Sequence, residues 1–555
     1  MQEQKIKNAK TKDYEMWMII LIIAVVLALV IWMLVNPNAL MTIADAGNIF
    51  AKNFTWLFLI IPLAMIAVAL AIAFSPIGKI RMGGPNATPK YSFYSYWIML
   101  WCAGFGSATV VLSFLDWVDI VQNPPFGLEP LSTGAFRISN ALSMFEWGFT
   151  TCSLNLFLAI PFCYCFYVRK QNAARLGDVF VTMSKRHTSD WFVKLLNVIF
   201  IFVVLGGMAC TLGYGVPKVT AVVCELTGAT NTNVINIVVI VLMAAIFTGS
   251  ASLGIAKGVQ NLSRINMWII YIFLGAALLI GPTVYVLDNI VNSLGLMVDN
   301  FFTMAANTDP FYNSDYAQNN TLFCYCYSWA YVAMMAGFMI TISYGRTFRE
   351  MILSCMVCIP VGVWVMFGIN GSIGMYNQLN GKADYISIYN ESGSTAAAIE
   401  VVQDMGLGSV LGLVAFGLMM IIFVATAMDG TSIVLAQSTM KKVAVGKEPS
   451  FSMKFIWCIL LAVIPLVMDM LGAELWIFES MANITGWPVM VIGVFLWIFL
   501  WRWFKEDKGI EYGHGSKMDL DSELGKQAAA ETAERERLQA EEEAAEKAAK
   551  VAAKK

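Results

Sequence analysis

The chain has 555 residues, 58% of them apolar and only 13% charged, with 36 basic side chains against 38 acidic ones and a net charge of −2. Such an apolar excess exceeds that of soluble globular proteins, and a near-neutral balance leaves no basic surface for nucleic acid. The charges gather in loops and tails, as a bilayer demands, because one at a helix centre costs roughly 2.5–3.5 kcal/mol on insertion scales. The expectation is an all-α integral membrane protein.

Apolar runs of about 20 residues span a bilayer. Twelve are predicted, near 16–35, 54–76, 94–115, 142–168, 192–213, 233–255, 264–287, 321–344, 351–370, 408–438, 454–472 and 481–503. The first follows a lysine-bearing start and is too long for a cleaved signal, so it is kept as a membrane helix.

An even number of spans puts both termini on one side, and positive charge chooses that side. One set of connections carries Lys5, Lys7, Lys10 and Lys12; Lys79, Arg81 and Lys90; Arg169, Lys170, Arg175, Lys185 and Arg186; Lys257 and Arg264; Arg346 and Arg349; and Lys441, Lys442 and Lys447. The other set holds chiefly Lys52, Arg137, Lys218 and Lys382, with acids such as Asp288, Asp299, Asp309, Asp384 and Glu474. Both termini are therefore expected in the cytoplasm, and the chain in the cell membrane.

The third span carries Ala103-Gly104-Phe105-Gly106-Ser107-Ala108 at mid-depth. Glycines weaken a helix by about 1 kcal/mol each relative to alanine. Such a cluster marks either an unwound site lining a cavity or close packing of helices through small residues. Glu146 begins the fourth span beside Trp147 and reads as interfacial. Between the seventh and eighth spans, Asn289 to Met304 has apolar residues at helical spacing and predicts an interfacial helix on the outer surface.

In the eighth span Phe323, Tyr325, Tyr327, Trp329 and Tyr331 crowd the outer half. An interfacial aromatic belt accounts for the first two; the other three lie deeper. Facing rings hold a quaternary ammonium by cation–π attraction, about 0.5–2 kcal/mol per ring, and that group has no N–H to offer an acceptor. In the tenth span Thr426-Ala427-Met428-Asp429-Gly430-Thr431-Ser432 places an acid among small and polar residues, facing a cavity or ion, or bonding a neighbouring helix. Cys355 and Cys358 have CxxC spacing within an apolar helix and read as packing, and the other cysteines of the apolar runs read as small hydrophobes. His187 and His514 sit in a loop and the tail, and no GxSxG, HExxH or phosphate-binding loop appears, so no enzyme is expected and no cofactor. The tail from Lys505 to Lys555, rich in Ala, Glu and Lys, is a solvated helix or disordered.

At several of these residues the chain resembles the betaine/carnitine/choline transporter family. Ala103-Gly104-Phe105-Gly106 is similar to the glycine-rich break of the family's third helix. Pro124 to Pro130, Ser143-Met144-Phe145-Glu146-Trp147-Gly148 and Phe166 to Lys170 look most like the carnitine/γ-butyrobetaine exchanger branch. Lys257 to Ser263, Gly281-Pro282-Thr283 and Asn300-Phe301-Phe302 look more like the sodium-coupled glycine betaine branch. Ile342 to Glu350 resembles the end of the family's eighth helix.

The resemblance implies a LeuT-like core of two inverted five-helix repeats, preceded by two helices. The chain then divides into an N-terminal tail 1–15, two peripheral helices 16–93, a first repeat 94–287, an outer interfacial segment 288–320, a second repeat 321–504 and a charged tail 505–555. It also implies alternating access around an aromatic box, a small betaine-like zwitterion as substrate and a homotrimer. Trp147 matches a box tryptophan; Tyr327 and Ser328 fall where the family has adjacent tryptophans, with Trp329 beside them; Tyr331 falls on another box position. Gly104, Phe105 and Gly106 form the break. Val111 and Cys152 stand where the exchanger branch has rings, which thins the box. For the coupling ion, Na⁺ or H⁺, Thr426, Asp429, Asn266 and Ala103 are the candidates, although Ala427 stands where the sodium-coupled branch has a serine.

Overall fold

The computed structural model describes residues 13–104, 106–171, 175–184, 189–253, 258–311, 314–441, 449–473 and 475–507. Among them the regular elements are helical, and the two β-bridges, Tyr14 with Met440 and Arg81 with Thr347, are isolated. Helices α1 (Met16–Val35) and α2 (Ala39–Phe74) come first. The next group is α3 (Phe93–Gly104), α4 (Ser107–Gln122), α5 (Thr133–Glu146), α6 (Phe149–Leu154), α7 (Leu156–Cys163), α8 (Leu176–Ser184), α9 (Asp190–Thr227), α10 (Asn233–Leu253) and α11 (Gln260–Ile280). Then come α12 (Thr283–Asp299), α13 (Phe301–Ala305), α14 (Leu322–Ile342), α15 (Phe348–Leu353), α16 (Ile359–Leu379), α17 (Tyr385–Gln403), α18 (Ser409–Ser438), α19 (Phe451–Met470) and α20 (Leu475–Glu506).

Among the described residues ten helical runs are long and apolar enough to cross a bilayer, and the pair α3–α4, bent by 69°, makes an eleventh. The remaining expected crossing, the sixth, falls on α10, whose shorter apolar stretch is Val234–Met243. Several helices outrun the apolar windows. The third expected crossing reaches Gln122 rather than 115, the fourth begins at Thr133 rather than 142, the fifth reaches Thr227 rather than 213, and the last begins at Leu475 rather than 481. Three of these extensions carry charges that apolar windows exclude: Asp116 and Asp119, Lys218, and Glu479. Lys218 is thus not a loop residue; it is buried in α9. Arg137 likewise lies within α5.

The connections expected to share one side meet at one end of the bundle. The backbone at Asp13–Glu15 bonds Thr439 and Lys441, Met82 pairs with Gly345 and Arg346, and the Arg349 guanidinium donates to Ala73 O at 2.7 Å. Arg346, buried against Phe93 and Tyr96, donates to Tyr91 O at 2.7 Å. Arg169 ties the fourth crossing to the end of α20, pairing with Glu506 and Asp507 and lying 4.8 Å over the Trp503 ring. At the other end α17 lies across the bundle. Tyr389 donates to Asp119 at 2.9 Å, Asn390 to Gln122 at 2.7 Å, and Gln403 to Glu225 at 3.1 Å.

The segment expected to lie on the surface has one face docked. Asn140 of α5 donates to Ser293 at 3.2 Å, and Asn289 donates to Ser372 of α16 at 2.9 Å. Its opposite face exposes Val284, Leu287, Val291 and Val298. The C-terminal tail beyond Asp507, and Lys257, Lys442 and Lys447, lie outside the described residues.

Candidate functional site

Two broken crossings meet at the middle of the bundle. In the first, α3 ends at Gly104 and α4 starts at Ser107, leaving Gly106 as the residue before the new helix. No side chain would fit at Gly106. A Cβ there would lie 2.7 Å from the Tyr331 hydroxyl, 2.8 Å from that of Tyr327 and 2.9 Å from Thr211 Cγ2. The new helix is pinned by Ser107, whose hydroxyl donates to Thr211 O at 2.6 Å. Ala103, buried, precedes the break, and the Asn155 amide lies 3.5 Å from where a Gly104 Cβ would sit. Phe105 lies outside the described residues.

The second break, at Trp147–Gly148 between α5 and α6, was not foreseen. A buried helix break frees carbonyls that must find donors. Here side chains supply them: Trp364 Nε1 donates to Met144 O at 2.8 Å, Thr150 Oγ1 to Phe145 O at 3.3 Å, and Thr151 Oγ1 to Glu146 O. Gly148 admits this approach, since a Cβ would lie 2.9 Å from the Trp364 nitrogen.

Between the breaks the rings converge. Tyr327 and Tyr331, one turn apart on α14, have centroids 4.9 Å apart and hydroxyls 3.2 Å apart. Both hydroxyls bond Thr211 Oγ1 of α9. Trp147 stands edge-on to Tyr327 at 5.8 Å and to Phe323 at 6.3 Å, and stacks on Phe367 of α16 at 6.3 Å. Tyr214, one turn after Thr211, stacks on Phe323 at 6.1 Å. Six rings from four crossings thus close on one another, and all are buried. A passenger enters only if they part. Offset and edge-on aromatic pairs hold by about 0.5–1.5 kcal/mol each beyond burial, so opening is affordable.

The structure separates the remaining candidates. Trp329 lies on another face of α14, against Phe157 at 4.6 Å and Gly486, away from the other rings. Ser328 is buried. Thr426 spends its hydroxyl on its own helix, donating to Ile422 O and Phe423 O at 3.0 Å. Asn266 is buried on α11 beside Cys102, the neighbour of Ala103. Asp429, also buried, lies by Cys458 of α19 rather than at the breaks.

Charge lies just outward of the rings. Glu146 is buried and accepts from Thr321 at 2.6 Å and Tyr316 at 3.1 Å, with Cys324 Sγ at 3.9 Å, so it is no interfacial residue. The Tyr214 hydroxyl donates to Glu479 at 2.6 Å, and Lys218 Nζ lies 5.5 Å from the Tyr214 ring centroid and 3.4 Å from Ser394 Oγ. Sequence reasoning missed Thr211, Tyr214 and Phe367, which carry no pattern of their own. Lys218 and Glu479 had a signal: an ionisable residue bounding or entering an apolar run. A crevice of about 280 Å³ between α9, α10 and α19 lies on the other face of α9, lined by Leu212, Val216 and Pro217.

Helices broken inside an apolar bundle, with polar and aromatic groups turned into the breaks, are the architecture of membrane carriers. The sequence matches the profile of the betaine/carnitine/choline family of transporters over residues 17–509, and the chain belongs to that family. It is 27% identical over 454 residues to a carnitine transporter of Acinetobacter baumannii, covering 82% of each chain. It is 28% identical over 452 residues to the uncharacterized transporter YeaV of Escherichia coli, covering 80% of this chain and 92% of that one. Among solved structures, a substrate-bound, outward-open Na⁺-coupled sialic acid symporter aligns with 80% of this chain and 85% of its own, at a TM-score of 0.37 and 13% identity.

Proposed function

We propose that this carrier moves a small betaine-like zwitterion, such as glycine betaine, carnitine or γ-butyrobetaine, by alternating access across the cell membrane. The observation that carries this reading is the closed cluster of Trp147, Phe323, Tyr327 and Tyr331 at the two breaks. A trimethylammonium group needs several ring faces and no hydrogen-bond acceptor, and parted rings offer that. Gly104 and Gly106, on either side of the break, supply amide groups for the substrate's carboxylate.

The rest of the reading is consistent with membership. Of twelve crossings, ten form a LeuT-like core of inverted repeats, 94–287 and 321–504, behind two helices, with both termini cytoplasmic. Three copies associate through the exposed face of α12. Transport is coupled to Na⁺ or H⁺ rather than being pure exchange; Ala103, Asn266 and Thr426 are the residues for a cation site, and Asp429 shapes the ion dependence from α18.

Uptake of labelled glycine betaine into proteoliposomes, with and without Na⁺ and pH gradients, tests the reading. Saturable uptake, with competition by carnitine or γ-butyrobetaine, is expected. Failure of all three to be transported or to compete would transfer the site to a different small zwitterion or amino-acid derivative, the alternative on the same scaffold.

A further inference from the structure

Asp116 of α4 and Glu146 of α5 are both buried inside the bundle, close enough for the charge of one to act on the other. Each has a distinct set of partners. Glu146 Oε1 accepts two hydroxyl protons, from Thr321 at 2.6 Å and Tyr316 at 3.1 Å, so it is built to be an anion. Asp116 bonds Ser143, and its Oδ2 has no hydrogen-bond partner among the described residues. The charged groups acting most strongly on Asp116 are all acidic: Glu146, Asp119 and Glu479. Toward Glu146 the lead into α14 presents Tyr316, Cys324 and Tyr325. The buried cation in this region, Lys218 of α9, is turned to Ser394 and to the fields of Glu479 and Asp469, and Tyr389 of α17 holds Asp119.

Two carboxylates sharing a water-poor site without a cation between them cannot both be ionised cheaply. We infer that Asp116 and Glu146 form one shared protonation site, carried on Asp116 Oδ2, whose occupancy keeps Trp147 in place against a substrate lodged between the parted rings. The orphaned oxygen takes the proton and Glu146 stays an anion. Glu146 is the residue before Trp147, and its partners Thr321 and Cys324 lead directly into the turn carrying Phe323 and Tyr327. Loss of the proton to water leaves two neighbouring anions, which push α5 from α4 and carry Trp147 out of reach of a substrate held against Tyr327. Substrate and proton therefore bind together, so affinity falls as pH rises, by up to about tenfold per pH unit for one linked proton. This coupling rests on the betaine reading, whereas the protonation site itself does not.

The test uses the full chain in lipid vesicles. Difference infrared spectroscopy reads the protonated carboxyl directly. A carboxylic-acid carbonyl band is expected at neutral pH, lost on alkaline titration, absent in Asp116→Asn, and titrating at lower pH in Glu146→Gln. No band, or one unchanged in both variants, overturns the site. Should Asp116→Asn fail to fold, the displaced titration in Glu146→Gln decides alone. Binding of glycine betaine, carnitine and γ-butyrobetaine is then measured against pH: the wild-type affinity slopes, and Asp116→Asn is flat. A flat wild type overturns the coupling. A proper band without binding of any of the three betaines sinks the substrate reading and leaves the proton site standing.

Discussion

Gly106 shows how much depends on one missing methyl. Its backbone lies directly against the hydroxyls of Tyr327 and Tyr331, closer than any Cβ tolerates. Gly106→Ala should cost about 1–3 kcal/mol by overpacking, with the larger effect on function: transport lost in proteoliposomes while the purified protein still melts cooperatively. Wild-type uptake in that variant would remove the break from the mechanism. Trp147→Ala and Tyr327→Ala should each weaken betaine binding by about 1–2 kcal/mol, one ring contact apiece. Equilibrium binding checks this, and unchanged affinity in both would dissolve the cage. Trp329→Ala should spare affinity more than either, because that ring packs on Phe157 and Gly486 instead.

Among the elements, α17 and the end of α20 behave as fasteners at opposite ends. Helix α17 contains a non-helical residue, Gly393, at φ 84°, a conformation side chains rarely adopt. Tyr389, one turn before it, ties the helix to α4 through Asp119. Burial, and then the neighbouring Asp119 charge, hold the Tyr389 hydroxyl well above the ordinary tyrosine range, so it stays a donor at physiological pH. Tyr389→Phe removes that bond and should open the outer end more often. Cys324, buried beside Glu146, reports it: its labelling by an impermeant thiol reagent, read by peptide mass spectrometry, should rise several-fold, and an unchanged rate would reduce α17 to a passive cover. At the other end Arg169 makes two contacts with Asp507, both at 2.9 Å, and stacks on Trp503. Charge-assisted bonds contribute about 1.5–3 kcal/mol when half-buried. Arg169→Ala should lower the thermal midpoint in detergent by a few degrees; no shift would show the end of α20 to be held by packing alone.

For the whole molecule, the positive connections and their contacts point to one side. Lys79, Arg81 and Lys90 lie in the loop that pairs with Gly345–Thr347, and the N-terminal segment pairs with Met440 and Lys441. By the rule that basic connections stay inside, we propose that this side is cytoplasmic. Reporters fused to either terminus should be active only in the cytoplasm; a split result, one inside and one outside, would overturn the even count of crossings.

Composition and the spacing of apolar runs by themselves determined a membrane-embedded, all-helical protein, because burial in lipid leaves its mark on every span. The glycine cluster at 103–108 was legible too, since two glycines so close together in one span weaken its helix. What only the tertiary structure decided was which polar and aromatic residues meet. Trp147–Gly148 breaks because Trp364, Thr150 and Thr151, from its own chain neighbours and from a distant helix, answer the freed carbonyls. Tyr327 and Trp329, two residues apart, turn to different neighbours because a helix rotates about 100° per residue. Glu146, Lys218 and Glu479 sit within crossings because partners from other elements answer their charge. Apolarity is a property of each segment and is written locally; the compensation of a buried charge or a broken turn belongs to pairs of segments, and exists only after they pack.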